Sequence, residues 1–147
     1  MCIPAERPGA IARIAGSEQA PCLYGTVKFY EMGENVLVAA DLCGLPENES
    51  GIFAMHIHTG MRCSGPAFED TGGHFDPTGR THPRHAGDLP PLFSCGGKAF
   101  LVVLTDRFCL REIMGRTVVI HAGPDDMRSQ PAGNSGEKIA CGVIRAF

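Results

Sequence analysis

The chain of 147 residues contains no tryptophan and only two tyrosines. Aromatic residues make up 7% of it, and its 13 lysines and arginines are scattered without a basic run. Nucleic acid is therefore not expected as a partner. No apolar stretch approaches the roughly 18 residues of a membrane span, so no membrane association is expected either. The opening residues MCIPAERPGAIARIAG lack a charged n-region followed by a long apolar block. No signal peptide is read there, so the protein is expected to be cytoplasmic as encoded. The alternative is a periplasmic or extracellular protein, if the chain is a trimmed mature form. No CxxC pair occurs, which argues against a cysteine-type zinc finger. The seven cysteines are an odd number, so at least one thiol stays free if every disulfide is intramolecular. Without a signal peptide the default is reduced thiols.

What is present is histidine in one place. Five of the six histidines lie between Ile52 and Asp88: His56, His58, His74, His82 and His85. The sixth, His121, ends the apolar run RTVVIH. In GIFAMHIH, alternation sets Phe53, Met55 and Ile57 on one face of a strand and Ala54, His56 and His58 on the other. Two residues apart on a strand, both imidazoles project the same way, roughly 7 Å apart at the backbone. They can reach one ion. Thr59 to Pro91 is rich in Gly, Pro, Asp and Thr and has little periodicity. It carries His74, His82, His85 and Asp88, a histidine and carboxylate set that suits zinc and argues for a loop ordered by an ion.

The rest of the chain reads as scaffold. Its length suits one domain, residues 1–147. With 19 glycines and 11 prolines it favours short strands and turns over long helices. Ala10–Ile14, Leu23–Tyr30, Val36–Leu42, Gly51–His58, Phe93, Lys98–Thr105, Thr117–His121 and Ile139–Ile144 are the expected strands. Phe108–Gly115 holds a single helical turn. Ala122–Glu137 is a second long polar loop. This is an all-β fold, a sandwich or barrel.

Several ordered motifs resemble the copper/zinc superoxide dismutases. They are His56-x-His58, Gly73-His74-Phe75-Asp76-Pro77, His85-Ala86-Gly87-Asp88-Leu89 and Gly115 to His121. Gly133-Asn134-Ser135-Gly136, running into Ala140-Cys141-Gly142-Val143-Ile144, completes the set. They cover nearly the whole C-terminal two-thirds, whereas the first 50 residues carry no diagnostic motif. The position of Cys63 and the run Gly-Asp-Leu-Pro-Pro look like the bacterial branch. The resemblance implies an eight-stranded antiparallel Greek-key barrel, immunoglobulin-like, with two long functional loops. It implies copper held by His56, His58, His74 and His121, and zinc held by His74, His82, His85 and Asp88, with His74 bridging. It implies that Asp125 links the two sites through His56 and His82, and that Cys63 and Cys141 form a disulfide. The implied reaction disproportionates superoxide to dioxygen and hydrogen peroxide, with His74 and Asp125 in the catalytic machinery. A homodimer is left open.

The chain departs from the family pattern in places. Lys138 stands where the family has an anion-guiding arginine, which keeps the charge and loses the planar fork. Glu137 beside it sets an opposing charge near the channel. His82 and His85 are closer together than the family's zinc loop usually allows, which implies reduced zinc affinity if the site is strained. Cys2, Cys22, Cys43, Cys95 and Cys109 have no assigned role, and Cys22 and Cys43 read as small core residues. Asn48-Glu49-Ser50 reads as a turn. Two other readings stand beside the enzyme. One is a non-catalytic copper store or carrier on the same fold. The other is a zinc-stabilised structural domain, against which all four copper ligands argue.

Overall fold

Alternation of apolar and polar residues decides which side of each strand is buried. In the second strand Val27 and Phe29 are fully buried, while Lys28 between them faces outward. The structure, a computed structural model, describes residues 6–147. Its strands are β1 (Ala10–Gly16), β2 (Tyr24–Met32), β3 (Asn35–Cys43), β4 (Ile52–Phe53), β5 (Met55–His58), β6 (Leu92–Phe93), β7 (Ala99–Thr105), β8 (Thr117–His121) and β9 (Lys138–Ala146). One helical turn, α1 (Leu110–Ile113), lies between β7 and β8.

Seven strands form one curled antiparallel sheet in the order β5-β8-β9-β1-β2-β3-β7, and β4 pairs with β6. The core is filled from every side: Phe29 from β2, Val38 from β3, Phe53 and Met55 from β4 and β5, Ile120 from β8 and Ile144 from β9. The all-β expectation holds. Nine strands appear where eight were expected because Gly51–His58 divides at Ala54. The Ala54 N–H donates to Gly123 O, and its carbonyl accepts from the His121 N–H. At this residue the chain leaves the β6 ladder and joins β8. No helix among the described residues is long and apolar enough to cross a membrane.

Strand β5 ends the sheet, and an open edge there would expose unpaired backbone groups. The long loop covers it instead. Ile57 N–H donates to Gly87 O at 2.9 Å, Phe75 N–H donates to Ile57 O at 2.8 Å, and Thr59 N–H donates to Gly73 O at 2.9 Å. The loop's histidines are thereby held in register with those of the strand.

One expectation fails. Cys22 is exposed, not a core residue. It sits in the turn before β2, where Leu23 N–H bonds back to Ala20 O, and Leu23 takes the buried place. Cys43 is half-buried on the outer face opposite Tyr24. Cys2 lies outside the described residues.

Candidate metal centre

His56 and His58 leave β5 on one face, His121 closes β8, and His74 enters from the covering loop. One ring nitrogen from each of these four lies within 4.8 Å of the others. A second group of the same tightness is formed by His74, His82, His85 and Asp88, so His74 belongs to both. Of these seven residues, the five other than His74 and His85 are buried, and those two nearly so.

Each ring is oriented by what its far nitrogen touches. His56 Nε2–H donates to Asp125 Oδ2 at 2.7 Å, and His82 Nε2–H donates to Asp125 Oδ1 at the same distance. His58 Nδ1–H donates to Gly72 O at 2.8 Å, and His121 Nδ1–H to Gly136 O at 3.2 Å. These acceptors assign the tautomers. The opposite nitrogens are left as inward lone pairs, and His58 Nε2 and His121 Nε2 stand 3.3 Å apart. Three buried ring nitrogens, His56 Nδ1, His74 Nε2 and His82 Nδ1, have no hydrogen-bond partner. His82 Nδ1 lies 3.0 Å from Asp88 Oδ2 without the alignment of a hydrogen bond. Leaving such atoms unpaired costs on the order of 1–3 kcal/mol each. All three point into the two groups, so the residues fit metal ions. An all-imidazole set suits copper, and a closed set of three imidazoles and a carboxylate suits zinc.

Burial sets the charge states. It pushes His58 down to about 2 and His121 down to about 3, each against one carbonyl hydrogen bond. It lowers His56 as well, outweighing the Asp125 bond. Burial alone would raise Asp88 and Asp125. For Asp88 the His74 hydrogen bond and the surrounding imidazoles outweigh it; for Asp125 the bonds from His56, Met127 N–H and His82 do so. Both are carboxylates at neutral pH, and these rings are neutral donors.

Gly133 is required beside Asp125. A Cβ at Gly133 would stand 2.0 Å from Asp125 Oδ1 and 2.7 Å from His82 Nε2, and its φ is +73°. Only glycine allows this approach. Lys138 opens β9 opposite His121. Its Nζ donates to Thr71 Oγ1 at 2.7 Å and to Gly72 O at 3.0 Å, the same carbonyl that takes the His58 proton. Partial burial lowers its pKa, and Glu69, not the neighbouring Glu137, is the carboxylate opposing that shift. A cleft of about 350 Å³ reaches His121 from the Ser129–Gly136 side.

Cys63 and Cys141 are bonded, with Cα atoms 5.7 Å apart, which ties the loop after β5 to β9. Three contributors lie outside the expected site residues. Arg107 Nη1 donates to the carbonyls of Pro83, His85 and Asp88 at 2.9, 3.2 and 3.2 Å. Gln130 brackets the His82 backbone, accepting its N–H and donating to its carbonyl. Asn48 donates to Ile52 O and Ala122 O and accepts from Gly51 N–H, joining the start of β4 to the loop after β8.

An antiparallel β-barrel with two histidine-rich ligand groups sharing one ring defines a binuclear metalloprotein. The chain belongs to the copper/zinc superoxide dismutase family, whose model matches residues 23–144. It is 38% identical over 136 residues to superoxide dismutase [Cu-Zn] 2 of Aquifex aeolicus, covering 82% of this chain and 78% of that one. It is 36% identical to superoxide dismutase [Cu-Zn] of Escherichia coli K12, with the same coverage. The Legionella pneumophila enzyme of that name is 34% identical, covering 85% of this chain and 80% of that one. A crystal structure of a SOD-like protein from Bacillus subtilis, with a tyrosine and a proline each replaced by histidine, superposes with a TM-score of 0.81. It is 28% identical and covers 92% of this chain and 97% of that one.

Proposed function

We propose that the chain disproportionates superoxide to dioxygen and hydrogen peroxide with copper and zinc as cofactors. His56, His58, His74 and His121 would hold copper; His74, His82, His85 and Asp88 would hold zinc. The observation that carries this is the ring of His74, which belongs to both ligand groups at once. Copper, when bound, supplies the one-electron change that superoxide needs in both directions, while zinc has no redox chemistry and supplies charge and order.

The chain's own residues supply the rest. His74 Nε2 is buried and unpaired, so it can take up a proton and return it to the peroxide being formed. Its other nitrogen, Nδ1, faces the second group 2.7 Å from Asp88 Oδ1, where zinc would hold the ring in place while that proton moves. Asp125 fixes the tautomers of His56 and His82 together, so both present Nδ1 inward. Lys138 supplies positive charge at the wall formed by Thr71 and Gly72, where a small anion is drawn in. Its ammonium is committed to two acceptors, so it steers the anion more than it grips it. The storage or carrier reading is not favoured, since it gives the Lys138 charge no task. The Cys63–Cys141 bond supports the oxidising alternative for compartment, periplasmic or extracellular, over the cytoplasm.

Superoxide decay by stopped flow tests the reading, on protein carrying one copper and one zinc per chain by elemental analysis. Rapid catalytic decay that disappears in His121→Ala is expected. Full metal loading with decay no faster than for an unrelated protein would refute the enzyme.

A further inference from the structure

The Cys63–Cys141 disulfide borders a cleft away from the metal centre, and the cleft is cationic. It has a volume of about 530 Å³ and is lined by both cysteines, by Arg7, Arg13 and Arg145, and by Phe147. Arg13 on β1 and Arg145 on β9 project from the outward face that also carries Cys141, since alternate residues of each strand face the same way. Arg7 spans the end of the cleft, donating to Phe147 O at 3.1 Å with its guanidinium 4.9 Å over the Phe147 ring. Among the described residues every ion pair joins a histidine to an aspartate, so neither Arg13 nor Arg145 is neutralised by a side-chain carboxylate. The chain as a whole carries −3. A site with two unpaired guanidinium groups, and a third held at Phe147, on a net negative protein selects anions locally.

We propose that this cleft receives an anionic low-molecular-weight thiol, of the glutathione class, and that the disulfide exchanges with it. Cys63 is half-buried and Cys141 only 3% exposed, so Cys63 Sγ is the atom attacked. The incoming thiolate forms a bond to Cys63 Sγ, the Sγ–Sγ bond breaks, and Cys141 leaves as a thiolate. A second thiol then attacks the mixed disulfide, releasing the oxidised dimer of the thiol and the Cys63 thiolate. Two thiols supply the two electrons. Arg13 and Arg145 favour both the arriving anion and the departing Cys141 thiolate. Reduction would free the segment whose Gly72 carbonyl holds both His58 and Lys138.

The test uses the folded, metal-loaded protein and three thiols of different charge: glutathione, 2-mercaptoethanol and cysteamine. Rates, normalised to thiolate concentration, are read by alkylation and mass spectrometry. Glutathione is expected to react on the order of tenfold faster than cysteamine at low ionic strength, the ratio falling towards one in about 1 M salt. The Arg13→Gln/Arg145→Gln variant should flatten the ratio, and the Arg13→Glu/Arg145→Glu variant should reverse it. The mixed disulfide should map to Cys63. Without a cationic cleft the net negative chain would favour cysteamine. That order, a ratio unchanged in both variants, or no exchange with any of the three thiols would overturn the proposal.

Discussion

Replacing Asp125 with asparagine separates the two halves of the centre. The carboxylate accepts three hydrogen bonds: from His56 Nε2–H at Oδ2, and from His82 Nε2–H and Met127 N–H at Oδ1. Asparagine has one acceptor oxygen of nearly the same shape. Placed at Oδ1 it keeps two of the three bonds, so the amide NH₂ must face His56. His56 then has to accept at Nε2 and carry its proton on Nδ1, the atom that points at the other three copper-side rings. All three charge-assisted bonds become neutral ones, a loss of roughly 2–4 kcal/mol in the metal-free protein. Copper affinity should fall roughly 10- to 100-fold, the range for losing an orienting partner, while zinc affinity changes much less. Chelator competition for Cu(II), with Co(II) absorption reporting on the zinc position, measures both. An equal fall at the two positions, or a fall confined to zinc, would show that the amide does not sort the bonds in this way.

Three further outcomes are expected. Lys138→Ala should slow superoxide decay about three- to tenfold at low ionic strength and flatten its salt dependence, with Lys138→Arg restoring both. An unaltered salt profile in stopped flow would contradict its steering role. Cys141→Ser opens a cross-link of sequence separation 78 and should cost about 4 kcal/mol on chain-entropy grounds. Calorimetry should then show a melting point roughly 8–16 °C lower, and a drop under 3 °C would point to a strained or redundant bond. For the metal-free protein, His58 and His121 titrate near 2 and 3 when folded but near the ordinary 6.5 when unfolded. The unfolded state therefore binds more protons between pH 6.5 and about 3, and stability falls as pH drops through that window. The slope should reach roughly 2–3 kcal/mol per pH unit for two protons, and acid titration followed by circular dichroism reads it. A metal-free protein equally stable at pH 7 and pH 5 would rule this out.

Much of this molecule is legible in its sequence. The alternation in LYGTVKFY and the H-x-H pair follow from the two-residue period of a strand, and both survive in β2 and β5. The histidines that gather into the two groups are legible because their residue type is rare and their spacing ordered. What escaped was contact between distant segments. Arg107, Gln130 and Asn48 act on backbone carbonyls and amides, which every residue possesses, so no pattern marks their partners. The break at Ala54 escaped for the same reason, since it depends on Gly123 and His121. Cys22 departs from its expected core place because Leu23, beside it in the same turn, takes the buried position.

The clamp formed by Arg107 bears on how the short stretch between His82 and Asp88 can be inherited. Three carbonyls of that stretch converge on one guanidinium rooted just beyond β7. The order that a longer loop could draw from its own turns is here delegated to a side chain 19 residues beyond Asp88. The loop is therefore not a self-contained module. Grafted into a relative without a matching arginine, it would bring every ligand and none of the bracing. Loop and clamp would have to travel together for the zinc position to travel with them.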